Sequence, residues 1–453
     1  MATIFAPATI LGRAGIAVIR LSGSAAGAAL AALAGDLPPP RLASRRRLRS
    51  PDCDMVLDDA LVLWFPGPAS YTGEDAAELH LHGGRAVVAA VMDALAALPG
   101  LRPAEPGEFT RRAFHNGKLD LTAVEGLADL IAAESESQRR QALSQLSGVL
   151  GSLYDGWRHD LTRALAHVEA AIDFSDQDLP DNLVDPVRHT IEGVHSAISL
   201  HLDDNYRGER LRDGLFVTIV GAPNVGKSSL LNRLARREAA IVSDHAGTTR
   251  DVIEVHMDLG GLPVTVADTA GLREGADDHS GIDPVEIEGM RRSLARAEAA
   301  DLKIAMFDAT AWPATDQRTQ ALVDDDTLVT VNKTDTASLP AGAALLAGTT
   351  LGTRKIWPLS CTTGAGFDAF VAALSEAAAA QLQPFGTPAL TRARHRSVLT
   401  ACAEALARYP LAAAPELAAE ELRLAVRALA RITGRVDVED LLDVIFSEFC
   451  IGK

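Results

Sequence analysis

Cysteines and aromatic residues are scarce in this chain of 453 residues. The four cysteines, Cys53, Cys361, Cys402 and Cys450, contain no C-x-x-C pair, so the sequence carries neither a disulfide framework nor a zinc signature. Such a chain suits a reducing compartment, and we expect a cytoplasmic protein. There is no charge-free apolar run of about 18 residues, and the N-terminus lacks the basic segment of a signal peptide. We therefore expect neither a membrane span nor secretion.

Positive charge is also in deficit, because 43 Lys and Arg stand against 60 Asp and Glu, giving a net charge of −17. So acidic a chain lacks the global positive field that drives non-specific nucleic-acid binding. Contact with RNA would then require a local basic patch, a partner protein or a splayed-out base. One basic run exists at 45–47, flanked by Arg41 and Arg49. Its ordinary interpretation is a solvated loop, and an RNA-binding patch is the alternative.

The N-terminal quarter of the chain mixes strand and helix signals. Strand candidates lie at 16–21, 60–65 and 78–82, the last with strict polar and apolar alternation. The composition then becomes helical, and apolar residues spaced by three and four between 143 and 172 predict one long helix. A second helix is expected over 186–206.

A charged, Gly-containing segment at 205–214 is typical of a linker, and an α/β pattern follows it. Short apolar strands alternate with helical stretches, as in a mostly parallel sheet, at 216–220, 264–268, 303–307, 328–332 and 356–360. The chain is helical again from about 390 to 433, where Leu422, Val426, Leu429 and Ile432 form one stripe and Gly434 is a C-cap candidate.

These signals predict four segments in an α/β plus α fold. An α/β domain covers 1–118, a helical domain is formed by 119–212 and 379–453, and a second α/β domain over 213–378 is inserted between the two helical segments. The two helical segments would then form one bundle.

The segment G-A-P-N-V-G-K-S at 221–228 follows a strand, precedes a helix and matches G-x-x-x-x-G-K-[ST]. Successive backbone N–H groups at a helix N-terminus form a cradle for phosphate anions. Lys227 is expected to reach the β- and γ-phosphates, and Ser228 to ligate Mg²⁺. The segment predicts a nucleoside triphosphate site.

Two further segments complete the phosphate side of the predicted site. D-T-A-G at 268–271 ends the next strand of the predicted sheet, so Asp268 is expected to bind Mg²⁺ through water and Gly271 to offer its amide to the γ-phosphate. The loop D-H-A-G-T-T-R-D at 244–251 supplies Thr249 as a second hydroxyl on Mg²⁺, held only while the γ-phosphate is present.

The segment N-K-T-D at 332–335 ends another strand and predicts recognition of guanine. The Asp335 carboxylate can accept from both N1–H and the exocyclic amine, a donor pair that adenine lacks. We expect Asn332 to bond the other edge of the base and the aliphatic stem of Lys333 to cover its face. The backbone amides of 360–362 are expected near the guanine O6. The residues expected around the nucleotide are Asn224, Val225, Gly226, Lys227, Ser228, Ser229, Ser243, Asp244, His245, Ala246, Gly247, Thr248, Thr249, Asp268, Thr269, Ala270, Gly271, Asn332, Lys333, Asp335, Ser360, Cys361 and Thr362.

One catalytic group is missing. Leu272 follows D-T-A-G, where Ras-like enzymes place a Gln that orients the attacking water. Either hydrolysis is slow or another group serves, and a cation could supply the missing positive charge.

The four segments, together with G-R-A-G-I-A-V-I-R-L-S-G at 12–23, P-G-E-F-T-R-R-A-F-H-N-G-K-L-D-L at 106–121 and the terminal F-C-I-G-K, resemble the MnmE (TrmE) family of bacterial tRNA-modification GTPases. The resemblance covers nearly the whole chain. It implies an N-terminal folate-binding and dimerising α/β domain, a helical bundle from two chain segments, and an inserted Ras-like P-loop G domain.

The resemblance also implies a function. The family acts with MnmG, a partner that carries FAD, to form the 5-aminomethyl or 5-carboxymethylaminomethyl group of the wobble uridine of certain tRNAs. A tetrahydrofolate derivative, in its 5-formyl or methylene form, supplies the one-carbon unit. GTP hydrolysis that K⁺ stimulates drives the cycle of a homodimer.

Site residues follow from the same resemblance. K⁺ would be bound by Asn224, Ser243, His245 and Thr248, where an arginine finger would otherwise lie. Glu286 would orient the hydrolytic water. The stretch 275–285 is longer than the family pattern, so a helix-start carboxylate is the alternative role for Glu286.

Folate contacts are implied for Arg20, Glu78, Lys118 and Lys453. The positive groups could pair with glutamyl carboxylates and Glu78 with the pterin edge, against the alternative of plain surface charge. Cys450 is a candidate reactive thiol whose role is open. For the His80 and His82 pair, we favour a structural role over metal binding.

Two other hypotheses remain. A ribosome-assembly GTPase of the Era or Der type would share the G domain, but the acidic balance and the folate-like N-terminal segments argue against it. A folate-dependent aminomethyl transferase whose G domain only regulates is the other.

Overall fold

A computed structural model describes residues 2–10, 12–173, 184–237, 254–268, 298–336, 350–352, 354–382, 388–412, 414–436, 439–447, 449 and 452. The strands are β1 Thr3–Pro7, β2 Ala14–Ser22, β3 Ser44–Arg49, β4 Val56–Phe65, β5 Ala76–Gly83, β6 Leu101–Pro103, β7 Leu215–Val220, β8 Glu254–Leu259, β9 Leu262–Asp268, β10 Leu302–Asp308, β11 Thr327–Asn332, β12 Thr350–Leu351 and β13 Arg354–Pro358. The helices are α1 Ala26–Ala34, α2 Arg85–Ala96, α3 Glu108–His115, α4 Leu121–Ala132, α5 Glu136–Leu146, α6 Val149–Asp173, α7 Val184–Leu202, α8 Arg207–Asp213, α9 Lys227–Arg237, α10 Gln317–Ala321, α11 Phe367–Leu382, α12 Ala393–Arg408, α13 Pro415–Ile432 and α14 Glu439–Ser447.

The chain divides into two compact units. The first unit comprises 1–128, 143–195 and 398–453, and the second comprises 129–142 and 196–397. Each unit has its own sheet. Within the described ranges, no helix combines the length and apolarity needed to cross a lipid bilayer.

The sheet of the first unit has the strand order β3-β4-β5-β2-β1-β6. Its neighbours pair antiparallel except β1 and β6, which run parallel. Alternate residues of β2 and β5, such as Ile19 and Leu79, are buried against α1 and α2, as the period of two in the sequence requires. The opposite residues Arg20 and Glu78 share the other face and lie directly across from each other in register.

Helices of the same unit bury their apolar stripes against one another. On α13, Leu422, Leu429 and Ile432 are buried as predicted, while Ala425 is fully buried and Val426 lies at the edge of the stripe. An ion pair between Arg423 and Glu169 links α13 to α6. The helix ends as predicted, because Gly434 follows its C-cap with φ 82°.

The sheet of the second unit has the order β12-β13-β11-β10-β7-β9-β8. The five central strands are parallel, and β8 and β12 add antiparallel edges. Strands such as β7 and β10 are buried on both faces and therefore read as continuous apolar runs. Together the elements confirm the predicted fold class: an N-terminal α/β domain, helical segments on both sides in sequence, and an α/β P-loop domain between them.

Three predicted elements were wrong. The stretch 143–172 is two helices, because the chain breaks at Gly148, whose φ of 83° is outside the helical region. The expected linker at 205–214 contains helix α8, whose Gly208 packs against the backbone of Leu390 too closely for any side chain. The basic run at 45–47 lies on the edge strand β3 rather than in a loop, and Arg45 and Arg47 both pair with Asp59.

Candidate functional site

The phosphate loop joins the end of β7 to the start of α9 at the carboxyl edge of the parallel sheet. Two of its residues, Asn224 and Gly226, have positive φ values of 62° and 107°, which turn successive backbone groups toward the helix start. Gly226 is required twice, because a Cβ there would also overlap the amide of Asn332. Gly221 likewise allows the loop to approach the carbonyl of Met306.

Lys227 opens α9 and is buried. Its Nζ donates to the carbonyl oxygens of Gly221 and Ala222, at 3.0 Å each, and so lies across the mouth of its own loop. Burial lowers the pKa of this amine, and the nearby carboxylate of Asp268 acts in the opposite direction. A phosphate in the cradle would relieve the cost of burying this charge.

Ser228 and Asp268 meet beside the lysine. Ser228 Oγ donates to Asp268 Oδ2 at 2.6 Å, joining the first turn of α9 to the last residue of β9. The other carboxylate oxygen, Oδ1, is buried and has no hydrogen-bond partner within the described ranges. A hydroxyl and a carboxylate are the oxygen donors that Mg²⁺ prefers, and an unsatisfied buried oxygen fits a site completed by the ion and its water.

Asn332, the last residue of β11, is a buried bridge between two loops. Its Nδ2 donates to the carbonyl of Val225 in the phosphate loop at 2.8 Å. Its Oδ1 accepts from the amide of Cys361 at 3.0 Å. The residue therefore fixes the phosphate loop and the 360–362 loop relative to each other, a role that the motif alone did not predict. Its expected contact with the base stays a prediction.

In the rest of the N-K-T-D segment, the lysine is held by an ion pair and the aspartate is exposed to solvent. Lys333 has φ 64° and its Nζ binds Asp308 Oδ2 at 2.6 Å, which holds the lysine stem in place. Burial alone would raise the pKa of Asp308, but hydrogen bonds from Lys333 and Thr310 keep it below its ordinary value. Asp335 itself is exposed. Its charge helps raise the pKa of the nearby Cys361 thiol to about 11, although burial is the larger cause and Arg233 opposes both.

The loop at 360–364 is closed by its own backbone. Ser360 is buried, its Oγ accepts from the amide of Thr363 at 3.0 Å, and its carbonyl accepts from the amide of Gly364 at 2.9 Å. Thr334 Oγ1 donates to the carbonyl of Leu359 and ties the loop to N-K-T-D. These contacts bring the base-side residues together at one edge of the sheet, as predicted from the strand ends.

Part of the predicted site lies outside the described residues. These residues are Ser243, Asp244, His245, Ala246, Gly247, Thr248, Thr249, Thr269, Ala270, Gly271, Glu286, Cys450 and Lys453. Predictions about the switch loop, the K⁺ carbonyls, the water-orienting glutamate and the terminal thiol therefore stay predictions.

The first unit brings Arg20 and Glu78 together on neighbouring strands. Both the Nε and the Nη2 of Arg20 donate to Glu78 Oε1, at 3.1 and 3.0 Å. Glu78 Oε2 lies 3.2 Å from His80 Nε2. The Arg20 guanidinium also lies 5.6 Å from the ring centroid of Tyr71 and 6.0 Å from that of Phe109. The two predicted folate residues thus pair with each other beside one exposed and one buried aromatic ring.

The remaining N-terminal candidates are separate from this pair. Lys118 Nζ donates to the carbonyl of Pro68 at 3.0 Å. His82 pairs with Asp58 rather than with His80, and the described part of the chain contains no cluster of three or more side chains that could hold a metal ion. The buried residue Gly452 packs against Pro7, at the end of β1.

Sequence reasoning missed three contributors: Asp308, Arg233 and the aromatic pair beside Arg20. Asp308 ends a parallel strand, a position that could have been recognised by the same strand-end argument used for Asp268. Arg233 lies one and a half turns into α9 and had no motif signal. The two aromatic residues are distant in sequence from Arg20, since Tyr71 lies in the connection between β4 and β5 and Phe109 lies in α3.

Two family models together match most of this chain. The family model described as the GTP-binding protein TrmE N-terminus matches residues 3–118, and the one described as the MnmE helical domain matches residues 121–450. Among solved structures, the G domain of the T. maritima FeoB iron transporter is similar over 37% of this chain and 99% of that chain, at 23% identity and a TM-score of 0.26.

Curated relatives extend over the whole length. The tRNA modification GTPase MnmE of Rhodospirillum rubrum is 57% identical over 463 residues, covering 100% of this chain and 99% of the relative. The protein of the same name from Paramagnetospirillum magneticum is 56% identical over 454 residues, with 100% and 99% covered. This chain therefore belongs to the MnmE (TrmE) family, whose two relatives above are named tRNA modification GTPases.

Proposed function

We propose that this chain is a K⁺-stimulated GTP hydrolase of the cytoplasm that acts in tRNA modification. As a homodimer, and together with the FAD-carrying partner MnmG, it would form the 5-aminomethyl or 5-carboxymethylaminomethyl group of the wobble uridine of certain tRNAs. A tetrahydrofolate derivative would supply the one-carbon unit. Membership of the family supports the tRNA-modification GTPase activity, and the site geometry supports the nucleotide chemistry.

One observation carries the proposal. Lys227, the Ser228–Asp268 pair and the buried Asn332 converge at the carboxyl edge of one parallel sheet, although they come from three different strand ends. Such an edge is where α/β sheets bind nucleotides, and a loop with two positive-φ residues supplies the anion cradle. Asp335 is exposed near Cys361 of the 360–362 loop, where its carboxylate would accept hydrogen bonds from guanine.

The chain's own groups divide the work of phosphoryl transfer. Lys227 would leave the carbonyls of its loop and pair with the β- and γ-phosphates. Ser228, with Asp268 behind it, would hold Mg²⁺, which when bound neutralises charge on the phosphates. Glu286 would orient the water, since Leu272 cannot.

The K⁺ site would begin at Asn224. Its side chain is exposed at the tip of the phosphate loop and makes no hydrogen bond within the described ranges, so its amide oxygen is available to a cation. Ser243, His245 and Thr248 would complete the set. The bound ion would supply positive charge near the transferred phosphoryl group.

The one-carbon donor would bind in the first unit. Arg20 and Glu78 offer one positive and one negative group within hydrogen-bonding distance of each other, and the exposed ring of Tyr71 adds surface for a planar ring. Lys118 and Lys453 would contribute further positive charge, and the role of Cys450 would be tested separately.

The proposal is tested by a GTPase assay in K⁺ and in Na⁺, with MnmG absent and present. We expect turnover at least about tenfold faster in K⁺, because a correctly placed positive charge commonly contributes more than one decade in phosphoryl transfer. Equal rates in the two salts would remove K⁺ from the mechanism.

A second arm separates the proposal from a ribosome-assembly GTPase and from a transferase that the G domain only regulates. Saturable binding of 5-formyl-tetrahydrofolate is expected, and its absence would favour the ribosome-assembly function. Modification of tRNA should require hydrolysable GTP, and full modification with a non-hydrolysable analogue would favour the regulated transferase.

A further inference from the structure

The side chain of Arg233 links helix α9 to the loop at 360–364. Its Nη1 donates to the carbonyl of Cys361 at 2.9 Å and lies 3.4 Å from the carbonyl of Thr362. The guanidinium stacks 5.2 Å from the ring centroid of Phe367. It also fills the space next to Gly364, where a Cβ would overlap it. Arg233 is therefore packed on three sides and half-buried, not a loose surface cation.

The amides of the loop are almost all committed to the protein. The amide of Cys361 donates to Asn332 Oδ1, and those of Thr363 and Gly364 donate to Ser360. In the part of the chain that the structure describes, the amide of Thr362 has no such protein acceptor. It is thus the donor in this loop that a base oxygen can use.

The carbonyl held by Arg233 and the uncommitted amide belong to the same peptide group, since the Cys361 carbonyl and the Thr362 N–H share one C–N bond. In a trans peptide the two point in opposite directions, so fixing the carbonyl toward α9 directs the N–H away from α9. A positively charged donor on the carbonyl also polarises the peptide and strengthens its N–H as a donor.

We propose that Arg233 is a positioning residue for guanine recognition, holding and polarising the Cys361–Thr362 peptide so that its N–H binds the O6 oxygen of the base. This inference rests on the proposed GTP function. It adds a link between the helix that begins at the phosphate-binding Lys227 and the loop that reads the base. Asn332 supplies a separate link, between that loop and the phosphate loop.

The test compares Arg233→Met with Arg237→Met in the full-length protein. Arg237 lies one turn further along α9, lies 5.7 Å from the centroid of the same Phe367 ring and pairs with Asp368. It therefore shares the charge and the ring contact of Arg233, but its side chain is exposed. Dissociation constants are measured for GTP, for ITP, which keeps O6, and for 6-thio-GTP, in which the weaker acceptor sulfur replaces O6.

For Arg233→Met we expect a rise of about tenfold in Kd for GTP and the same factor for ITP, equivalent to about 1.4 kcal/mol, which is within the net contribution of one hydrogen bond. The Kd of 6-thio-GTP should change far less. The Kd of 6-thio-GTP divided by the Kd of GTP should therefore fall toward one in this variant. Arg237→Met should leave all three constants unchanged, and Arg233→Lys should recover part of the GTP affinity, since lysine keeps the charge but not the planar fork.

Equal weakening of GTP and 6-thio-GTP by Arg233→Met would show a general loosening of the pocket and overturn the proposal, as would an unchanged GTP constant. Both results differ from failure of the proposed function, in which the unmutated protein itself would show no saturable binding of GTP.

Discussion

The nucleotide edge of the second unit and the Arg20–Glu78 pair of the first unit treat their charged groups in opposite ways. At the nucleotide edge, one buried oxygen of Asp268 has no hydrogen-bond partner among the residues that the structure describes, and Asp335 is exposed to solvent. In the first unit, Glu78 has both oxygens engaged, one by Arg20 and the other by His80. The nucleotide edge therefore contains unsatisfied polar groups, whereas the charges of Arg20 and Glu78 already neutralise each other.

This difference indicates how each site would bind its ligand. An unsatisfied buried oxygen and a buried lysine of lowered pKa are costs that a ligand removes, so binding at the nucleotide edge should be strong. A ligand at the Arg20–Glu78 pair must replace contacts that already exist, so each charged group there should contribute less. The two sites should therefore respond to single substitutions on different scales.

The largest effect is expected for Lys227→Ala. It removes the only buried amine of the phosphate loop, and we expect loss of at least about a thousandfold in kcat/KM for GTP, because a charged group at the transferred phosphates acts in both binding and catalysis. The measurement is steady-state GTP hydrolysis.

The control for Lys227→Ala is Lys303→Met, which removes another buried lysine of the same unit, located on β10 and paired with Asp324. Hydrolysis should survive this change. If Lys227→Ala retained more than a tenth of the activity, the nucleotide edge would not depend strongly on its buried lysine, and the contrast with the Arg20–Glu78 pair would fail.

Asp335→Asn should have the next largest effect. The amide can no longer accept from both N1–H and the exocyclic amine, and we expect about a hundredfold loss of GTP affinity with a gain for XTP, which presents a complementary edge. Competition binding of GTP and XTP provides the measurement. Asp368→Asn, on the exposed carboxylate that pairs with Arg237, should alter neither. Unchanged GTP affinity in Asp335→Asn would refute the base-reading role.

The nucleotide edge could largely be predicted because its residues follow strand ends. A buried parallel strand is a continuous apolar run, and the residue after it must lie at the carboxyl edge, so Asp268 and Asn332 could be placed from sequence. The same rule would have placed Asp308. The rule could not predict the hydrogen bonds between the loops. The contacts of Asn332 with Val225 and of Arg233 with Cys361 depend on distances between residues that are far apart in sequence.

The helical segments were harder to predict. Spacings of three and four continue through Ser147 and Gly148, so the apolar period gave no sign of the break there, which depends on the backbone of one glycine. Charge and glycine content at 205–214 suggested a linker, yet Arg207–Asp213 is helical because Gly208 permits close packing on Leu390. In both cases tertiary packing outweighed the local signal.

The smallest effect is expected for a substitution of Glu78, which tests the Arg20–Glu78 pair of the first unit. Glu78→Gln keeps the shape of the side chain but removes the charged acceptor shared by Arg20 and His80. If Glu78 reads the pterin edge, the affinity for 5-formyl-tetrahydrofolate should fall by about tenfold, the value of one charge-assisted hydrogen bond, while the Kd for GTP stays unchanged. Equilibrium binding of both ligands gives the measurement.

Asp59→Asn is the matched control for Glu78→Gln, because Asp59 lies in the same sheet and pairs with two arginines, Arg45 and Arg47, that are exposed on the edge strand. It should change neither constant. A rise in folate affinity in Glu78→Gln would reverse the assignment: Arg20 would then be the group that binds the ligand carboxylate, and Glu78 would be its competitor in the free protein. That result would make the two sites alike, since each would hold a cation on a protein oxygen until an anionic ligand replaced it, as Lys227 is held on Gly221 and Ala222.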